Sequence, residues 1–174
     1  MRKSERPFMV EFSGTPEAGK TTSILTVSKM LENAGYTTEI LRESAESLPD
    51  EIPKGTFHAN MWMHFITQAG ILKATYSKAD VVLIDRGIID SQFYAWKYFN
   101  EGSCTKSEFD KFLTLKLDDI EPNLFLGIVV LPDTALKRRG GAGRLVNEEY
   151  VKRYNDFFYW ARYNQRAHKY RWVR

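Results

Sequence analysis

The chain has 174 residues, a length that favours one domain with a single sizeable core. It is 43% hydrophobic and 27% charged, as expected of an ordinary globular protein. No apolar run approaches the roughly 20 residues of a membrane-spanning helix. No such helix is therefore predicted, and the protein is not expected to associate with a membrane. The single Cys104 cannot form an internal disulfide, which fits a reducing compartment, so a cytoplasmic location is expected.

Short apolar runs alternate along the chain with stretches of helical spacing. Strands are predicted at 8–12, 36–41, 81–84 and 124–131. Helices are predicted up to residue 34 after the first strand, and at 56–78, 88–99, 106–120, 133–139 and 147–170. This alternation predicts an α/β fold, a three-layer sandwich in which helices cover both faces of a parallel sheet. Such a sheet usually has one more strand, so residues 169–174 either pair at an edge or that strand is missing.

The loop after the first strand fits the pattern G-x-x-x-x-G-K-[ST], which binds nucleotide phosphates. Two glycines allow a tight turn whose backbone N–H groups converge on phosphate oxygens, and the helix that follows directs its N-terminus at them. Lys20 can reach the β- and γ-phosphates, and the Thr21 hydroxyl can ligate Mg²⁺. The sequence therefore predicts ATP and Mg²⁺ as cofactors, bound by Gly14, Thr15, Pro16, Glu17, Ala18, Gly19, Lys20, Thr21 and Thr22.

Charged residues follow two of the predicted strands at the carboxyl edge of the sheet, where ligands of such folds bind. Asp85 can hold Mg²⁺ or contact an acceptor, and Arg86 can meet a phosphate or a hydroxyl. Arg42 and Glu43 end the second strand, where Glu43 stands in the place of a general base for an acceptor hydroxyl. Strand-ending turns and solvated loops are the structural alternatives for both pairs.

Arginines flank the glycine-rich segment 140–143. A glycine-hinged loop that carries Arg138, Arg139 and Arg144 fits a lid at about 138–146, which closes on a nucleotide and neutralises the charge of phosphoryl transfer. A plain basic surface loop is the alternative.

The last part of the chain is basic and aromatic. Residues 136–174 contain eleven Lys and Arg against three acids, a local charge of +8 that leaves −5 on the rest of a chain of net charge +3. Such a charge suits nucleotides or nucleic acid, or it lines a solvated helix face. The aromatic residues can stack on bases, but core packing is the commoner fate at this spacing; they are Tyr154, Phe157, Phe158, Tyr159, Trp160 and Tyr163.

These motifs come in an order that resembles thymidylate kinases and deoxynucleoside kinases, over about residues 8–160. Segment 131–139 looks like their passage from strand to lid, and 147–150 resembles the start of their helix after the lid. The resemblance implies a P-loop NTPase fold and a single kinase domain, 1–174, that moves the γ-phosphoryl of ATP to a small-molecule acceptor. It implies a set of catalytic residues, which are Lys20, Glu43, Arg86, Arg139 and Arg144. It implies that Arg138 binds the nucleotide and that the metal is bound by Thr21 and Asp85. The residues implied to contact the acceptor are Arg42, Glu43, Gln68, Asp85 and Arg86.

The acceptor stays open at this point. Thymidylate kinases have Pro-Gly-Gly-Thr after their Arg-Glu, whereas Ser44-Ala45-Glu46 follows Arg42-Glu43 here. They also have an aromatic residue after their Asp-Arg, where this chain has Gly87. Deoxynucleoside kinases have Glu-Arg-Ser in the place of Asp85-Arg86-Gly87. A nucleoside monophosphate is slightly favoured over a nucleoside, because Arg42 and Arg86 give the site two cations. A polynucleotide 5′-kinase and a regulatory P-loop NTPase are the alternatives, and a homodimer is compatible with the sequence.

Overall fold

A computed structural model describes residues 6–42, 47–117, 120–140, 147–164 and 170–173. Within these ranges, five strands form one parallel sheet in the order β2-β3-β1-β4-β5, which confirms the predicted α/β class. The strands are β1 (Phe8–Gly14), β2 (Thr38–Leu41), β3 (Val81–Asp85), β4 (Leu124–Ile128) and β5 (Tyr170–Val173). Strand β1 lies at the centre, so the loop that follows it opens at the middle of the carboxyl edge.

Six helices connect the described strands. They are α1 (Lys20–Asn33), α2 (Phe57–Ala74), α3 (Ile88–Asn100), α4 (Lys106–Thr114), α5 (Pro132–Arg139) and α6 (Glu148–Asn164). Threonines begin two of them: the Thr56 hydroxyl accepts from the Ala59 N–H at 3.1 Å, and Thr105 forms a capping box with Glu108. Among the described residues, no helix is long and apolar enough to cross a membrane.

Helices cover both faces of the sheet because successive strand residues point to opposite sides. On one face, Val10 and Phe12 of β1 pack with Ile24 of α1. On the other face, Met9 of β1 packs with Ile71 of α2. Helices α3 and α6 also lie on that second face, where buried residues surround Phe125 of β4: Ile89, Phe93, Tyr154, Phe157, Phe158 and Ala161. The predicted three-layer sandwich is therefore confirmed.

The aromatic residues of α6 mostly belong to the core, as their spacing favoured. Tyr154, Phe157 and Phe158 are at most 1% exposed, and the rings of Tyr154 and Phe93 stack with centroids 3.6 Å apart. Tyr159 is 42% exposed. These rings hold α6 against α3, which fixes the position of the residues at the start of α3.

Several predicted boundaries were wrong, among them the end of α2, which lies at Ala74 and not at 78, and the start of β2, which lies at Thr38 and not at 36. Strand β4 ends at Ile128 and not at residue 131, and α5 begins at Pro132. Helix α4 ends at Thr114 and not at 120, because the Leu115 carbonyl turns away and accepts the Gln68 side-chain amide of α2 at 2.8 Å. The predicted helix 147–170 reached too far, since α6 is described only to Asn164 and Tyr170 begins β5. Of the two alternatives left by the sequence, the structure shows the first: the last strand, β5, is present and pairs with β4 at the edge of the sheet.

Candidate active site

The loop between β1 and α1 turns sharply at two glycines. Gly14 has a φ of 146°, and a Cβ atom there would lie 1.9 Å from the Ile128 carbonyl oxygen, so only glycine fits. Gly19, the N-cap of α1, has a φ of 90°. The first turn of α1 contains no acidic residue, which leaves its N–H groups and the positive end of its dipole open to an anion.

Hydrogen bonds fix the loop to the neighbouring strand and to α6. The Thr15 N–H donates to the Ile128 carbonyl at 3.0 Å. The Thr15 hydroxyl donates to Asn155 Oδ1 at 2.9 Å, and the Asn155 amide donates to the Val130 carbonyl at 3.1 Å. The loop is therefore held on one side by β4 and α6 before any ligand binds.

Lys20 lies inside this loop. Its side chain is buried, and Nζ donates to the carbonyl oxygens of Gly14 and Thr15 at 2.9 Å each. These two bonds hold the ammonium at the centre of the loop, where phosphate oxygens can compete for it.

Thr21 and Asp85 meet although 64 residues separate them. The Thr21 hydroxyl donates to Asp85 Oδ2 at 3.1 Å, because β1 and β3 are neighbours and bring the ends of both strands to one edge. A hydroxyl and a carboxylate are the hard oxygen ligands that Mg²⁺ prefers, and Mg²⁺ commonly binds one or two protein oxygens together with substrate phosphates. The pair therefore fits the predicted metal.

Arg86 has a strained backbone held by three contacts. Its φ is 61°, a conformation that costs a non-glycine residue on the order of 1–3 kcal/mol. The Arg86 N–H donates to the Phe12 carbonyl at 3.0 Å, and Nη1 donates to Asp90 Oδ1 at 2.9 Å and to the Tyr154 hydroxyl at 3.2 Å. Strain of this kind persists where the surroundings enforce it and is typical of functional sites.

Glu11 is a fully buried carboxylate beneath the turn between β3 and α3. It accepts the N–H groups of Ile88 and Ile89 at 3.2 and 3.0 Å and the Ser13 hydroxyl at 2.7 Å. Burial and, to a smaller extent, the nearby Asp90 carboxylate raise the pKa of Glu11 to about 7, against the lowering effect of these hydrogen bonds. Glu11 thus caps α3 from a neighbouring strand.

A cavity of about 480 Å³ opens beside Arg86. Its walls come from the end of β2, one face of α2 and the start of α3, and include Arg42, Lys54, Asn60, Arg86, Asp90 and Tyr94. Asp90 is 4% exposed, and its Oδ2 has no hydrogen-bond partner among the described residues. The cavity therefore combines apolar walls with a few convergent polar groups, as small-molecule sites do.

The basic end of α5 lies on the phosphate loop. Arg138 Nη1 donates to the Glu17 carbonyl at 3.0 Å, and Arg139 Nη1 lies 3.9 Å from Glu17 Oε1. The Arg139 pair is partly exposed, so it contributes little to stability. Its position matters more, because it places two guanidinium groups beside the loop.

Comparison with known proteins rests on structure. No protein-family model matches the chain, and no curated protein matches it in sequence. A deoxyadenosine kinase from M. mycoides with bound dATP matches with a TM-score of 0.71 at 20% identity, over 96% of this chain and 90% of that chain. The structure with bound dCTP gives 0.69 at 20%, over 95% and 89%. The structure with products dCMP and a flexible dCDP gives 0.71 at 18%, over 95% and 90%.

The chain has the same fold as these deoxyadenosine kinases. This fold brings most of the predicted site residues to one place. Lys20, Thr21, Asp85, Arg138 and Arg139 lie in or beside the phosphate loop, and Arg42 and Arg86 line the cavity. The remaining loop residues, including Pro16, Ala18 and Thr22, follow one another between β1 and the first turn of α1. Glu43, Arg144 and lid residues 141–146 lie outside the described residues.

Gln68, which was expected to contact the acceptor, does not line the cavity in this structure. Gln68 is buried on the other face of α2, where its amide donates to the Leu115 carbonyl at 2.8 Å and accepts the Leu117 N–H at 2.6 Å. Both ends of the side chain therefore fasten the segment after α4. The cavity is lined instead by the α2 residues Ala59, Asn60, Met63, Thr67 and Gly70, a face of helical spacing.

Sequence reasoning missed the contacts of Glu11, Asp90 and Asn155, and it gave Tyr154 a core or base-stacking role without its hydrogen bond to Arg86. Glu11 had a signal, because an acidic side chain inside the apolar strand that enters the loop must be paired or functional once buried. Asp90 also had one, since it follows Arg86 by four residues, the spacing of a helical ion pair. Asn155 had none, because its partners lie far away in the sequence.

Glu11 should make stability depend on pH. Its pKa is about 7 in the folded state against 4.5 in the unfolded chain, so the folded state binds the proton more tightly. The contribution to stability is complete below pH 4.5 and is lost as pH rises through 7, a change of about 3 kcal/mol in unfolding free energy. Denaturant unfolding at pH 4.5 and pH 8 should show this fall in the parent chain and a flatter profile in Glu11→Gln. The exposed Glu51→Gln serves as control, and an equal fall in Glu11→Gln would contradict the assignment.

Proposed function

We propose that this protein is an ATP-dependent kinase that transfers the γ-phosphoryl group to a nucleoside. The proposal rests on the position of residues 85–86, which lie between the phosphate loop and the cavity. Asp85 contacts Thr21 of the phosphate loop, and the adjacent Arg86 lines the neighbouring cavity. A phosphate donor in the loop and an acceptor in the cavity would therefore meet at this pair, which is the requirement of direct transfer.

The donor half of the proposal assigns the loop to ATP. The loop N–H groups and Lys20 bind the phosphates, and Arg138 and Arg139 neutralise charge that develops during transfer. We assign the same role to Arg144, within a lid at about 138–146. Mg²⁺, held by Thr21 and Asp85, would supply further charge neutralisation on the phosphates.

The acceptor half rests on the cavity. A volume of about 480 Å³ lies within the range of small-molecule sites, roughly 300–1,000 Å³. The matching structures are deoxyadenosine kinases, and this favours a nucleoside over the monophosphate to which the sequence inclined. The cytoplasm, where such kinases meet ATP, is the proposed compartment.

A nucleoside monophosphate is the second candidate acceptor. Arg42, Lys54 and Arg86 line the same cavity and could bind a phosphate. Arg86 is already paired with Asp90, however, so part of this positive charge is neutralised.

A polynucleotide acceptor has less support. In the described part of the basic end, Lys152 pairs with Glu148 at 2.5 Å, and Arg153 pairs with Glu149 and Glu101 at 2.7 and 2.8 Å. These acids offset the positive charge that a nucleic-acid backbone would need.

Phosphate transfer from ATP should be measured against all common nucleosides, their monophosphates and an oligonucleotide with a free 5′-hydroxyl. We expect one or a few nucleosides to be phosphorylated in the presence of Mg²⁺. Slow ATP hydrolysis at the same rate with every acceptor would contradict the kinase proposal and indicate a regulatory NTPase. Transfer to the oligonucleotide alone, weakening steeply with salt, would indicate a polynucleotide kinase.

Glu43→Gln should distinguish the two small acceptors. A nucleoside hydroxyl needs a group that accepts its proton, and we assign that role to Glu43, so kcat should fall by about 10²–10⁴-fold. A monophosphate is already a competent nucleophile, and the same substitution should then act mainly on acceptor binding. Steady-state kinetics with Glu51→Gln as control decide between them. A kcat within threefold of the parent value would assign the monophosphate.

A further inference from the structure

Gly87 is glycine because Glu11 occupies the space of its side chain. A Cβ atom at residue 87 would lie 2.3 Å from Glu11 Oε2 and 2.4 Å from the Glu11 Cδ. The φ of Gly87 is −127°, which does not itself require glycine. The carboxylate cannot simply move aside, since it is fully buried and held by three hydrogen bonds.

Glu11 performs the capping that residue 87 would normally perform. Gly87 is the N-cap of α3 and offers no side-chain cap, whereas a serine there could accept an N–H of the first turn. The Glu11 carboxylate accepts the Ile88 and Ile89 N–H groups from β1 instead. The N-terminus of α3 is therefore capped by a side chain of β1 and not by its own N-cap residue.

The consequence reaches the site residues because only Arg86 and Gly87 connect the end of β3 at Asp85 to the start of α3 at Ile88. Arg86, with its left-handed backbone, stands between Asp85 and the two capped N–H groups. The Arg86 N–H is tied to Phe12, the residue that follows Glu11 in β1. We therefore expect a shift of residue 87 or of the carboxylate to displace Arg86, which bonds to Asp90 and lines the cavity.

We propose that Glu11 is a positioning residue that, paired with Gly87, holds Arg86 in place between the phosphate loop and the cavity. The proposal rests on the kinase function proposed above. It also explains why glycine stands at residue 87: the strand already supplies the cap, so a side chain there has neither room nor role.

A double-mutant cycle tests the pair. Gly87→Ser should lower kcat by about 10–100-fold, because displacement of a site residue by about 1 Å can cost that much, while the KM for ATP changes less than about threefold. Glu11→Ala should lower kcat by about tenfold, because the first turn of α3 loses its cap. The combination of both substitutions should regain kcat to at least the level of Glu11→Ala, because serine then has both room and N–H groups to accept.

Three results would overturn the proposal. One is an additive double variant, whose loss in kcat equals the product of the two single losses. Another is a kcat unchanged in Glu11→Ala while its melting temperature falls, which would make Glu11 merely structural. The third is a rise in the KM for ATP as large as the fall in kcat. Glu51→Ala is the control for removing a carboxylate, and circular dichroism confirms that each variant folds.

Amide hydrogen exchange makes the test independent of kinase activity. The Ile88 and Ile89 N–H groups should exchange at least about tenfold faster in Glu11→Ala and regain protection in the double variant. If the parent chain phosphorylates no acceptor but this pattern appears, the kinase proposal alone fails. Unchanged exchange in Glu11→Ala would contradict the capping role itself.

Discussion

Lys20→Ala is expected to reduce phosphoryl transfer by about 10³-fold while the protein stays folded. The ammonium lies at the centre of the loop, bonded to the Gly14 and Thr15 carbonyls, and in the proposed kinase it would stabilise charge on the phosphates that increases in the transition state. Removal of one such donor costs about 10²–10³ in kcat, and Lys20 carries a full charge. The loop keeps its bonds to Ile128 and Asn155, so the fold should survive.

The measurement is kcat at saturating ATP and acceptor, together with a thermal unfolding curve. Lys29→Ala is the matched control, because it removes an exposed lysine from the same helix. Activity of Lys20→Ala within tenfold of that of the parent protein would show that the loop does not bind the transferred phosphate.

Asp85→Asn should raise the Mg²⁺ concentration needed for half-maximal activity by about 10–100-fold. Asparagine keeps the shape of aspartate and can still accept the Thr21 hydroxyl, so the contact across the strands should persist. The negative charge that favours a divalent cation is lost, and changes in a metal's protein environment commonly have effects of this size.

Activity titrated with Mg²⁺ at fixed ATP provides the measurement, and Asp156→Asn provides the control, since Asp156 is exposed on α6. Excess Mg²⁺ should restore much of the activity of Asp85→Asn. A titration curve that coincides with that of the parent protein would exclude Asp85 as a Mg²⁺ ligand.

Local patterns were enough to predict the phosphate loop and the elements on either side of it. Gly14, Gly19 and Lys20 are constrained by backbone geometry and phosphate chemistry within eight residues, so the sequence shows them directly. The meeting of Thr21 and Asp85 was also predictable, because parallel strands bring their carboxyl ends to the same edge.

Contacts between distant segments were not predictable in this way. Helical spacing places Gln68 on one face of α2, but cannot show which face lines a cavity and which packs on the segment after α4. Glu11 caps a helix that begins 77 residues later, and no local signal connects the two. The predicted end of α4 lay too far along the chain for the same reason. The Leu115 carbonyl bonds to Gln68 of α2 and not within α4, and no helix-breaking residue marks this point in the sequence.

The central place of β1 in the sheet has a consequence for how the protein folds. β1 pairs with β3 through Val81–Asp85 and with β4 through Leu124–Ile128, so its two edges are completed by segments made much later during synthesis. Pairings of such sequence separation form slowly, since a long loop must close before they contribute. A nascent chain that stops before Leu124 leaves one edge of β1 open, and open edges can associate with other chains. The phosphate loop, which follows β1, should therefore reach its final form late in biogenesis. During that period chaperones would protect the unfinished sheet.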